Sequence, residues 1–166
     1  MRAVDFMTLD TQQVEILGRN YLTSLFVAED IEIAEPLRDK GIDLIAFRDS
    51  GNGGDFRALP IQIKVFSGKG FCIHKKYEKF SNMLMAYVWN VQNPSERDAV
   101  IMTYGEAMEV AGKLGWTEKP SWLAKGFFQT NGPGKRILNE LEKYRYKFGD
   151  LCTYVDKMTE KATISK

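Results

Sequence analysis

GIDLIAFRDSGNGGDFRALPIQIKVF, residues 41–66, holds two apolar runs of strand length around a stretch rich in glycine. GIDLIAF (41–47) and ALPIQIKVF (58–66) carry the β-branched and alternating character of strands. Between them DSGNGGDF (49–56) sets three glycines among polar residues, which predicts a loop more mobile than the strands beside it. One step upstream, IEIAEP (31–36) is separated from the first run by the turn signal Asp39-Lys40-Gly41, so the two read as a hairpin. Three consecutive strands result.

Before them lies a helix. Asp10 or Thr11 can cap it, and Val14, Leu17, Tyr21, Leu22, Leu25 and Phe26 recur at three- and four-residue spacing, giving a helix from about Thr11 to Ala28. After them, CIHKKYEKF (72–80) reads equally as strand or helix. MLMAYVWNV (83–91) and AVIMTY (99–104) are near-continuous apolar runs, the mark of strands covered on both faces. GEAMEVAGKLG (105–115) predicts a short helix stopped by Gly115, 116–134 reads as irregular, and 135–158 as helical with a break at Gly149. The expected architecture is α/β: one five-stranded sheet flanked by helices, in a single domain over 1–166, with a mainly helical C-terminal extension from 105.

Composition bounds the function classes. With 166 residues, 44% hydrophobic and 27% charged, the chain can build one globular core and is neither disordered nor a disulfide scaffold. No apolar run approaches the roughly 20 residues of a membrane span. MRAVDFMTLD places acidic residues where an export signal needs its apolar stretch. A cytoplasmic protein is therefore expected, with Cys72 and Cys152 as free buried thiols. His74 is the one histidine, which leaves little for histidine acid–base chemistry or a histidine-rich zinc site. It is expected to pack or to touch phosphate.

The chemistry gathers on four side chains. Asp43 stands early in one strand; Gln62 and Lys64, two apart in the next, project from one face. Hairpin-like pairing brings Asp43 beside that face. Glu15 shares a helical stripe with Gly18, Arg19 and Leu22, and Gly18 permits close approach to the sheet.

This order of helix glutamate, strand aspartate and strand QxK resembles the PD-(D/E)XK, or restriction-endonuclease-like, nuclease superfamily, and within it the Holliday-junction-resolvase-like and Mrr-like domains. The resemblance covers roughly 11–104 and implies a helix, a three-strand meander, a crossover helix and a further strand. It implies Mg²⁺- or Mn²⁺-dependent hydrolysis of DNA phosphodiester bonds. It assigns Asp43, Gln62 and the Ile63 backbone carbonyl to the metal, Glu15 to a metal-held water, and Lys64 to the charge developing on phosphorus. Two departures stand out: Ile42 replaces the proline before the aspartate, and Gln62 replaces the acidic residue of the tripeptide.

From Lys64 to Lys79 there are five lysines against one acid in a chain of net charge +1. Lys69, Lys75, Lys76 and Lys79, with Arg38 and Arg48 beside the Asp43 strand, are the expected DNA contacts, and a homodimer the expected assembly. The alternatives are a DNA-binding or scaffold protein with a decayed site, and a restriction- or toxin-system subunit active only with a partner.

Overall fold

Asp10 opens the first helix, α1 (Thr11–Ala28), through a capping box. Its carboxylate accepts the Gln13 N–H at 2.8 Å, and its own N–H donates to Gln13 Oε1 at 3.0 Å. The computed structural model of the chain describes residues 9–38, 40–48, 56–80 and 82–163. Most of the expected glycine loop, 49–55, lies outside these.

The strands β1 (Glu32–Ala34), β2 (Leu44–Arg48) and β3 (Arg57–Val65) form an antiparallel meander. After a crossover, β5 (Leu84–Trp89) lies parallel to β3, and β6 (Asp98–Thr103) runs antiparallel to β5. The crossover holds β4 (Gly70–His74) and a 3₁₀ turn over Lys75–Tyr77. The five-stranded mixed sheet has the order β1-β2-β3-β5-β6, built from the five runs read as strands in the sequence. All six residues of β5 are buried because both faces of the sheet are covered.

Period-two alternation sorts the two faces. Leu59, Ile61 and Ile63 of β3 join Leu22 and Phe26 of α1 and Leu151 and Val155 of α5 (Asp150–Thr163) in one core. The opposite face carries Met85, Tyr87 and Trp89 of β5 in a second core, closed by α2 (Tyr104–Lys113), β4 and Trp116. Register puts Gln62 beside Met85 and Lys64 beside Tyr87, so both belong to that second face.

Helix α1 lies close on the sheet at Gly18, which is buried. A Cβ there would fall inside contact distance of both Val65 methyls. Val65 is β-branched and stiff, so it cannot swing away cheaply. Gly18→Ala is therefore expected to lower stability by about 1–2 kcal/mol, overpacking outweighing the gain in helix propensity. A thermal melt should fall by roughly 2–8 °C; a rise would contradict the close approach.

Three stretches depart from the sequence reading. The first is 116–134, which is ordered: a 3₁₀ turn (Trp116–Glu118), α3 (Pro120–Lys125) and β7 (Phe127–Asn131). Strand β7 pairs antiparallel with β4 in a separate two-stranded sheet. That pairing also settles 72–80 as strand and then turn. Tyr87 donates to the Cys72 carbonyl at 2.8 Å and Trp89 Nε1 to the Gly70 carbonyl at 2.7 Å, holding β4 on the main sheet.

The second is 135–158, where α4 (Lys135–Leu141) ends well before Gly149. A 3₁₀ turn follows, then extended backbone in which Arg145 bridges to Val100 and the Tyr146 N–H donates to Ala99 O at 2.8 Å. Strand β6 is the sheet's edge, and covering its free groups outweighs continuing the helix. The Arg145 guanidinium fixes the crossing through Asp98, at 2.6 and 2.7 Å. Glu29, only 5% exposed, then ties the ends of the chain together by accepting from Tyr146 Oη and the Cys152 N–H.

The third is Cys152. Both cysteines are free, but only Cys72 is buried; Cys152 is half-exposed. Among the described residues, no helix is long and apolar enough to cross a membrane.

Candidate functional site

Strands β2 and β3 part where Asp43 stands. Register pairs Leu44 with Ile61, and the Asp43 N–H still donates to Ile61 O at 2.8 Å, which sets Asp43 opposite Gln62. One residue on, the Asp43 carboxylate replaces a backbone partner: Oδ2 accepts the Ile63 N–H at 2.7 Å. The same oxygen accepts from Gln62 Nε2, and that nitrogen also donates to Ile63 O at 3.1 Å. Both neighbours are acceptors, which is why the amide turns its nitrogen toward them. Gln62 is 5% exposed, a buried polar group whose amide nitrogen is satisfied by this bridge.

The parting strands and the start of α1 enclose a pocket of about 330 Å³. Glu15 and Arg19 line it from α1, Asp43, Gln62, Ile63 and Lys64 from the strands, and Lys76 and Tyr77 from the crossover. Asp43 and Lys64 share a sheet face, because Asp43 stands opposite Gln62 and Lys64 lies two residues further along the same strand.

The lysine run divides. Lys64 Nζ lies 5.7 Å and Lys76 Nζ 5.0 Å from the Tyr77 ring centroid, beside the pocket. Lys69, 5.7 Å from the Trp89 ring, lines a neighbouring pocket of about 520 Å³ with Lys64, Gln129 and Asn131. Lys75 and Lys79 line neither; the Lys75 N–H bonds Gly126 O, and Lys79 lies over Phe80. Arg38 is exposed and also outside both pockets. Arg48 sits at the far end of β2 from Asp43, its Nη1 3.7 Å from Cys152 Sγ. Of the six expected DNA contacts, the fold thus gathers Lys76 and Lys69 near Lys64 and leaves four elsewhere.

Arg19 lines the pocket without having been assigned to the site from the sequence. Arg19 shared the Glu15 stripe, and that spacing was the available signal. Its guanidinium also meets Glu35 at 3.4 Å. Tyr77 is interleaved with the lysines beside Phe71, His74 and Phe80, which marks these aromatics as candidates to stack on bases, but its stretch reads equally as strand or helix, so its direction was not legible.

His74 is a packing residue that shapes this wall. Its Nδ1 accepts the Lys76 N–H at 3.2 Å, capping the 3₁₀ turn, and its ring packs against Tyr77 and Phe127. Partial burial, and then Lys76 and Lys64, push its pKa below the usual histidine value, so it is neutral at pH 7. Cys72 is inert as a nucleophile, because burial pushes its thiol up to about 11.

No family model, no curated protein and no solved structure matches this chain. The site is therefore read from its own chemistry. Among the described residues, no three His, Cys, Asp or Glu side chains cluster as a metal-binding group. The oxygens that do converge are mixed in kind. Asp43 Oδ2 and Ile63 O converge on one shared atom, Gln62 Nε2, which donates to both. A carboxylate, a peptide carbonyl and an amide that has its own oxygen are donors suited to a hard divalent cation, with Glu15 lining the same pocket.

Proposed function

We propose that this chain is a divalent-metal-dependent nuclease acting on DNA, with a restriction-endonuclease-like core over roughly 11–104. The observation that carries the reading is the meeting of Glu15, Asp43, Gln62 and Lys64 in one pocket. The element order supports it: a helix, an antiparallel meander, a crossover, and a strand parallel to the third. The crossover departs from the family pattern, since a strand and a 3₁₀ turn stand where an α-helix is expected.

On this reading Asp43, the Ile63 carbonyl and the amide oxygen of Gln62 would hold Mg²⁺ or Mn²⁺. A bound divalent ion lowers the pKa of a coordinated water and offsets charge on the phosphate. Glu15 would position the attacking water and take its proton as the water oxygen bonds to phosphorus; the bond from phosphorus to the leaving sugar oxygen breaks, and that oxygen takes a proton from solvent. Lys64 Nζ faces the phosphate and stabilises the negative charge that develops on its oxygens. Cutting both strands of a duplex calls for two such sites, which makes a homodimer the natural assembly.

One observation favours a second reading, a DNA-binding protein that does not cut. The Gln62 amide nitrogen donates to both Asp43 Oδ2 and Ile63 O, the contacts of a structural clasp. The two readings separate in one experiment: supercoiled and branched DNA incubated with the full chain under Mg²⁺, Mn²⁺ or chelator. The nuclease reading expects nicking with metal and none in chelator. Binding without nicking under every metal would leave the second reading.

A further inference from the structure

Tyr77 is 1% exposed, yet among the described residues its hydroxyl hydrogen meets no acceptor; the polar group beside it is the Lys76 ammonium, itself only a donor. Leaving a buried hydroxyl unmet costs about 1–3 kcal/mol, so such a group calls for an explanation. Its surroundings suggest one. Tyr77 lines the pocket beside two ammonium groups, Lys64 and Lys76, each within 5.7 Å of its ring. Edge-on packing against His74 and Tyr104 fixes the ring, and the His74 cap fixes the turn that carries Lys76. The pocket's other cation, Arg19, is paired with Glu35, which leaves the Tyr77 wall as its positive side.

We propose that Tyr77, Lys76 and Lys64 form a phosphate subsite that takes a phosphate of a polynucleotide strand without needing a divalent metal. The hydroxyl donates to one phosphate oxygen while the two ammonium groups balance its charge. Burial pushes the Tyr77 hydroxyl up against the opposing pull of Lys76, so it remains a donor at neutral pH. The proposal rests on the nuclease reading only in naming a polynucleotide as the source of the phosphate.

Calorimetric titration of the full chain in chelator tests it, with inorganic phosphate in one arm and a short single-stranded DNA in the other. Wild type is expected to bind both, the DNA more tightly. Tyr77→Phe should weaken each by about three- to tenfold, the loss of one hydrogen bond, and leave the steepness of the salt dependence unchanged. Lys76→Ala should weaken DNA binding and reduce the salt slope by about one. This pattern beside absent nicking under every metal would fell the nuclease reading and keep the subsite. Phosphate binding that depends on Tyr77, with no DNA binding, would overturn the polynucleotide source. Tyr77→Phe should also melt no lower than wild type, because it removes a buried hydroxyl whose hydrogen meets no acceptor among the described residues. A folded Tyr77→Phe chain that binds as tightly as wild type, or a wild type that binds neither ligand, overturns the proposal.

Discussion

Asp43→Asn is expected to abolish Mn²⁺ binding and DNA nicking together while the chain stays folded. The carboxylate is the charged donor between β2 and β3, and hard cations bind weakly to a neutral set. The fold should survive because an asparagine Oδ1 still accepts the Ile63 N–H that Asp43 Oδ2 takes at 2.7 Å. Lys64→Ala should behave differently. Its ammonium lies by the pocket, 5.7 Å from the Tyr77 ring, and ligates nothing in the proposed site. Metal binding should therefore persist while nicking falls by roughly 100–1000-fold, as when one group aimed at developing charge is lost. Titration with Mn²⁺ beside a nicking assay on supercoiled DNA reads both. Nicking unchanged in both variants would remove the mechanism.

That pair of residues was legible because strand geometry is local. Period two puts Gln62 and Lys64 on one face whatever the rest of the chain does, and the meander's register then brings Asp43 opposite Gln62. The first helix was legible for the same reason: its capping box and its apolar stripe lie within its own residues. What stayed hidden depends on distant partners. Strand β7 pairs with β4 across some 55 residues of chain, and no local pattern in FFQTN announces that partner. The C-terminal helix breaks early because the edge of β6 needs covering, a demand of the sheet and not of the segment. Arg48 was placed near the site by its closeness to Asp43 in sequence. Five residues of extended strand, about 17 Å, carry it to the other end of the sheet. Gln62 sits between these cases: its face was legible, but the atom it presents was not. That atom is set by two acceptors converging from β2 and β3.

Gln62→Glu tests this last point with an effect whose sign depends on metal. In the wild type the amide nitrogen donates to Asp43 Oδ2 and to Ile63 O. A carboxylate has no hydrogen to offer, so at neutral pH it sets oxygen against oxygen in a buried place. The chain without metal should lose about 2 kcal/mol, and its melting temperature should fall by roughly 4–8 °C. Lower pH should mend this. Two carboxylates sharing a site hold one proton more tightly in the folded chain than in the unfolded one, where a glutamate has a pKa of about 4.3. The folded state then binds more protons than the unfolded state above that pH, so stability falls as pH rises until the shared proton leaves. A divalent cation should mend it at neutral pH by taking the place between Asp43 Oδ2 and Ile63 O that the amide nitrogen held. At a hundredfold excess of Mn²⁺ over its dissociation constant, linkage returns about 2.7 kcal/mol, enough to offset the loss. Melting curves at pH 5 and pH 7.5, each with Mn²⁺ and with chelator, give the four numbers needed. A variant that melts like wild type in chelator at pH 7.5, and is unmoved by Mn²⁺, would show that Asp43, Gln62 and the Ile63 carbonyl form a structural clasp and not a cation site.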